Sequence, residues 1–402
     1  MKIAFIVGGG NICGGNYVIF QHAEYLLRQG NDIYMISIFP PNDFDLSWHP
    51  AGSKFKWIWI DELTGYEIFD LAIATWWVTA TNIYRIRAKQ YCYFVQSIES
   101  RFFPEDDLPN KYYAESTYSL NLPVITEASW IKAYLENKKK SQNIFLVKNG
   151  IRKDIYTPFG DTYPKGNGFR VLVEGPVDVF FKNVPKAVDL VSKSQASECW
   201  LLTSSPINNF PGVDRVFSQV PIQEVAKIYR SCDLLVKLST VEGMFGPPLE
   251  MMHCGKPCVV FAVTGHDEYI INGINGIVIE AGHDKEVISA INRIIENRDL
   301  YKSLCKGSIK TASEWIDWNT SSLQFSEALN VIFRAEKKVS RKSLWEGCLS
   351  SHHEYSQLKH KERQNFELPS LKTVLKNKIK RITPKPLWAF CRLIYTRKYL
   401  NK

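Results

Sequence analysis

The sequence predicts an α/β protein of two doubly wound halves, each built on a parallel sheet. Three observations carry that prediction. Short apolar runs alternate with helical periods along most of the chain. A length of 402 residues suits two domains of about 150–180 residues and a tail. An apolar share of 45% is enough to give each half its own core.

In the first half, residues 3–7, 33–38, 55–60, 71–75, 91–95, 124–126 and 145–148 read as strands. Helical spacing covers 17–28 and 129–137. The loop Lys165-Gly-Asn-Gly168 opens the second half. There, 170–174, 199–202, 233–238, 257–261 and 276–279 read as strands, and 184–194, 222–231, 248–254 and 285–297 as helices. The expected organisation is a domain at 1–165, a second at 166–318, a helix at 319–340 packing back, and a polar segment with a basic tail at 341–402.

Charge is unevenly spread. Residues 369–402 hold ten of the 50 Lys and Arg and none of the 41 Asp and Glu, leaving 40 basic against 41 acidic residues elsewhere. A neutral body offers no basic groove, so nucleic acid is not an expected partner. In the tail, Leu371, Val374, Leu375, Ile379 and Ile382 fall on one helical stripe, with Lys372, Lys376, Lys380 and Arg381 off it. Such a segment, with Trp388 after it, predicts attachment to an anionic membrane surface; docking on the protein's own body is the competing use. Residues 1–7 are too short for a signal-peptide core, and no apolar run reaches the ~18–20 residues of a bilayer span. The expected location is cytoplasmic, peripheral on the inner face of the cell membrane. The nine scattered cysteines lack zinc-site spacing and read as reduced core thiols.

The most informative stretch is Lys237-Leu-Ser-Thr-Val-Glu-Gly-Met-Phe-Gly-Pro-Pro-Leu-Glu-Met-Met-His-Cys-Gly-Lys-Pro257. A buried strand runs into a loop whose Gly243 and Gly246 let backbone approach a ligand, and the prolines open a helix. The loop falls at the carboxyl end of a strand, where α/β sheets bind ligands, and the helix N-terminus suits phosphate. Glu250, expected in the first helical turn, can accept two vicinal hydroxyls. The spacing of Glu242 and Glu250 alone is no signal: Glu346/Glu354 and Glu354/Glu362 repeat it without glycines. Two other motifs compete. Gly8-x-Gly10-x-x-Cys13 lacks the third glycine of a dinucleotide fingerprint, and Asp43-Phe-Asp45 reads as a turn rather than a metal ligand pair. His22, on a helix, and His266, in a loop, read as packing or hydrogen-bonding residues.

The stretch from Glu242 to Pro257 resembles the donor-site signature of retaining glycosyltransferases of family 4. Other matches follow in order: Gly14-Gly15 before a helix, Val147-Lys-Asn-Gly-Ile151 with Tyr156-Thr-Pro158, Glu174-Gly175 with Lys182, Thr264-Gly-His-Asp-Glu268 with Asn275-Gly276, and Trp315-Ile-Asp-Trp318. They span about residues 1–335. The resemblance implies the GT-B architecture, two Rossmann-like domains facing across a cleft, and transfer of a sugar from a nucleoside-diphosphate sugar to a glycan or lipid-linked acceptor. It implies that Glu250 binds the ribose, that Glu242 sits by the donor sugar, and that Gly14 and Gly15 approach the diphosphate or acceptor. Gly175, Gly243 and Gly246 belong to the donor loops. Without a metal or other cofactor, Lys182 and the helix N-terminus at Gly246 would meet the leaving phosphate's charge.

Two positions depart from the family pattern. Pro176 stands where the family has an arginine, with Arg101 and Lys148 as possible substitutes. The strand end Tyr93-Phe-Val-Gln96-Ser-Ile-Glu99 has no histidine, so Gln96 or Glu99 is the candidate on the sugar side. The run through Phe102-Phe-Pro104 is similar to rhamnosyltransferases of bacterial surface glycans. Trp76 and Trp77, after a strand, serve either sugar stacking or packing. A nucleotide-sugar epimerase and a non-catalytic, membrane-associated partner protein are the alternative readings.

Overall fold

The computed structural model describes residues 1–41, 44–138 and 143–366. Asp43 and the whole basic tail at 369–402, with its predicted amphipathic helix, lie outside the described residues. The first domain runs β1 (Lys2–Val7), α1 (Gly14–Arg28), β2 (Asp32–Ser37), β3 (Lys56–Trp59), β4 (Phe69–Ala74), α2 (Trp77–Asn82), β5 (Ala88–Val95), α3 (Leu108–Ser116), β6 (Val124–Thr126), α4 (Ser129–Lys138) and β7 (Ile144–Leu146). The second runs β8 (Arg170–Glu174), α5 (Val184–Ser192), β9 (Glu198–Thr203), β10 (Arg215–Ser218), α6 (Ile222–Ser231), β11 (Leu234–Lys237), α7 (Gly246–His253), β12 (Cys258–Phe261), β13 (Gly276–Ile279), α8 (Asp284–Glu296) and α9 (Arg298–Glu314). Two further helices follow, α10 (Trp318–Arg334) and α11 (Arg341–Phe366).

The sheets have the orders β3-β2-β1-β4-β5-β6-β7 and β10-β9-β8-β11-β12-β13, with parallel ladders. Strand order reverses between β1 and β4 and again between β8 and β11, the points where open α/β sheets leave a ligand crevice. Burial on both faces explains the near-continuous apolar strands. In β1, Ala4 and Ile6 enter one core while Ile3, Phe5 and Val7 enter the other. The strand β10 was not foreseen: it is short, lies at the sheet edge and is mostly half-exposed, so it lacks an apolar run.

The chain closes on its first domain. Phe325, Leu329 and Ile332 of α10 share a core with Ile3 and Phe5. His22 is buried there, stacked 4.2 Å from the Phe325 ring and 3.0 Å from Ser322 Oγ; burial holds its imidazole down at about 3, so it is a neutral packing residue. On the other face, Leu344 and Cys348 of α11 enter the core of Ala4 and Ile6, and Tyr355 stacks on Tyr113 at 4.6 Å. The segment after residue 341, expected to be polar, thus begins as a docked helix whose buried stripe is spaced by four and seven residues. The two crossings between domains lie side by side. Ile151 N donates to Ile316 O, and Gly150 lies so close to the Asp317 backbone that no Cβ fits.

Candidate functional site

The crevice is lined from both domains by loops at the carboxyl ends of the strands. On the first domain, Gly14 and Gly15 open α1, and the Gln96 side-chain amide lies 3.5 Å from where a Cβ on Gly15 would stand. On the second, Gly175 follows β8 with φ 139°, a conformation that favours glycine. Lys182 sits in the turn before α5, and Lys237 ends β11.

The two residues expected to act on the donor are in contact. Lys182 Nζ lies 2.7 Å from Glu242 Oε2. Burial works against the Glu242 charge, but Lys182 and Lys237 outweigh it and hold the carboxyl below its usual range. Glu250, half-buried on α7, accepts from Tyr229 Oη at 3.2 Å. Burial, followed by the Glu174 charge, raises Glu250 to about 7. It stands one residue beyond the first turn of α7, because that helix starts at Gly246, two residues earlier than expected.

Gly246 has open space around it, whereas Gly243 has none: a Cβ there would collide with the Gln96 carbonyl oxygen. The donor loop is therefore seated on the first domain. Trp130 Nε1 donates to Gly243 O at 2.9 Å, and Met244 N donates to Glu127 Oε1 at 3.1 Å. Glu127, whose other oxygen accepts from Asn149, was not foreseen; burial, together with the Glu242 charge, raises it to about 7. Lys237 was missed as well. Its Nζ contacts Glu174 and lies 3.8 Å from Glu242 Oε1. Only the registers of distant strands bring these groups together, so no local motif announces them.

The other expected residues lie apart from the donor carboxylates. Glu99 is buried and accepts from Trp77 N at 2.7 Å and Tyr93 Oη at 3.2 Å, so it caps α2, and burial raises it to about 8. Trp77 packs against Phe103 and Tyr113, while Trp76 lies 3.4 Å from where a Cβ on Gly8 would stand. Arg101 lies 4.8 Å over the Trp130 ring and Lys148 pairs with Glu268 at 2.8 Å. Both are occupied at the domain junction rather than beside Gly175. His266 Nδ1 lies 2.6 Å from Val263 O.

Two parallel-sheet domains facing across such a crevice are the GT-B fold. Residues 214–311 match the family described as glycosyl transferases group 1, so the second domain carries a glycosyltransferase group 1 segment. An uncharacterized glycosyltransferase of Methanocaldococcus jannaschii is 24% identical over 230 residues, which cover 53% of this chain and 61% of that protein. The sucrose-phosphate synthase of Thermosynechococcus elongatus has a similar structure, with a TM-score of 0.67 and 17% identity over 83% of this chain and 99% of that one. HepE of Anabaena, solved in complex with UDP-glucose, gives a TM-score of 0.66 and 18% identity over 82% and 99%. At these identities the structural likeness shows the fold.

Proposed function

We propose that this protein is a retaining glycosyltransferase of the family 4 type. It would move a sugar from a nucleoside-diphosphate sugar to a glycan or lipid-linked glycan, without metal, in surface polysaccharide synthesis. The observation that carries the reading is the Lys182–Glu242 pair at 2.7 Å, with Glu250 half-buried on α7. Cleavage of the bond from the anomeric carbon to phosphate leaves charge on the nucleoside diphosphate. Lys182 and the N–H groups at the start of α7 would meet that charge, and the released Glu242 oxygen would accept from the donor sugar. The ribose hydroxyls would lie on Glu250. In front-face attack the leaving phosphate takes the acceptor proton, so no protein nucleophile is needed.

The UDP-glucose bound by HepE makes that compound the first probe. Thermal shift against a panel of sugar nucleotides should single out one donor, and transfer to a glycan acceptor should retain anomeric configuration by NMR. Donor turnover with no acceptor present would favour an epimerase instead. No helix among the described residues is long and apolar enough to cross a membrane. The basic segment 369–402 supports peripheral attachment to an anionic leaflet. The full chain should co-sediment with anionic liposomes and release in high salt, and a chain ending at Leu368 should do neither.

A further inference from the structure

Four charged side chains stand in line at the crevice floor with alternating sign: Glu174, Lys237, Glu242 and Lys182. Lys182 is the exposed cation, with 21% of its side chain accessible, whereas Lys237 is 2% accessible. Lys237 Nζ is held by the Glu174 carboxylate and by Glu174 O at 3.2 Å. On its own face of the sheet, Leu235 of the same strand and Val260, its partner on β12, are fully buried apolar residues. An apolar side chain would pack there without the large desolvation cost of an ammonium group. A cation in this place therefore needs an electrostatic reason.

Glu242 supplies one. Its Oε1 is buried, makes no hydrogen bond and lies 3.8 Å from Lys237 Nζ, while Oε2 depends on Lys182. If Lys182 turns to a diphosphate, Glu242 loses its nearer cation and its burial then favours the neutral acid. We propose that Lys237 is a positioning residue for donor cleavage: anchored by Glu174, it keeps the Glu242 carboxylate charged and in place while Lys182 engages the donor's phosphates. The proposal rests on the glycosyltransferase reading for its catalytic part, but its electrostatic part holds without it. The other groups facing Glu242 are Ser239 and Tyr269 from its own domain and Glu127 from the first, and none of them is a cation. Lys237 is thus the cation left to Glu242 among these groups once Lys182 is occupied.

The test reads the Glu242 carboxyl directly by 13C NMR, assigned with E242Q, in the full chain with and without UDP as the phosphate probe. In the parent, Glu242 should stay ionised through neutral pH in both states. In K237M with UDP its pKa should rise by about one unit or more, a tenfold change in the protonation equilibrium. K237R should restore it. The double variant K237M/E174Q removes the orphaned Glu174 charge and serves if K237M does not fold. In turnover, kcat should fall with the donor KM little changed, and the acid limb of the pH profile should move up by the same amount. An unmoved Glu242 titration in both K237M and the double variant overturns the proposal. If the parent transfers no sugar from any sugar nucleotide, the functional reading fails, while the carboxyl titration still decides the role of Lys237.

Discussion

The carbonyl oxygen of Gln96, in the first domain, fills the space that a side chain on Gly243, in the second, would need. At this glycine the donor loop and the opposite domain meet with no room to spare, beside the bonds from Trp130 to Gly243 and from Met244 to Glu127. Gly243→Ala should therefore force the domains apart, lowering the melting temperature by several degrees and expanding the particle in small-angle scattering. Gly246→Ala, with nothing within reach of its added methyl, should leave the melting temperature within about two degrees. An unchanged scattering profile for Gly243→Ala would show that the contact does not set closure.

Glu250→Ala should weaken donor binding by about 1.5–3 kcal/mol, the range for hydrogen bonds to a charged group. Glu354 has the same spacing from Glu346 but lies on α11, bonded to Tyr112. Its replacement by alanine should leave donor affinity unchanged by calorimetry. Equal affinities for parent and Glu250→Ala would remove Glu250 from the ribose.

Lys182→Ala removes the exposed cation and one of the two charges holding Glu242 ionised. Turnover should fall about a hundredfold or more. Transfer by the parent should survive excess EDTA. Activity lost in EDTA and recovered with Mn²⁺ would bring Asp43 and Asp45 back as metal ligands.

Glu99 gives a stability test. Burial raises its folded-state value to about 8, above the ordinary ~4.3. The folded state therefore holds this proton more tightly, and stability falls as pH rises between the two values. Glu99→Gln still offers an oxygen to Trp77 N–H and carries no charge. Its melting temperature should drop less than the parent's between pH 6 and pH 9, and parallel curves would reject the assignment.

The parallel sheets were legible because their strands are buried on both faces and read as apolar runs, as at 233–238. The edge strand β10 and the helix α3 were not, since neither shows a strong apolar face. Glu242, Glu250 and Lys182 were nominated by motif, and the structure brings the first and third into contact. Glu127 and Lys237 were invisible for a physical reason. Their meaning depends on partners 117 residues away for Glu127 and 63 away for Lys237, brought near only by the folded registers. Glu99 was nominated for its place at a strand end, but its carboxyl points at Trp77 N.

The late helices α10 and α11 fill opposite faces of the first domain's sheet. During synthesis, that domain emerges from the ribosome with both faces unfinished and stays so until the whole second domain has been made. The second domain, whose cores are formed by residues 151–304, can condense first. The order of folding should thus run against the order of translation, and a free chain truncated after Glu314, the end of α9, should resist protease in its second half while the first is still cut.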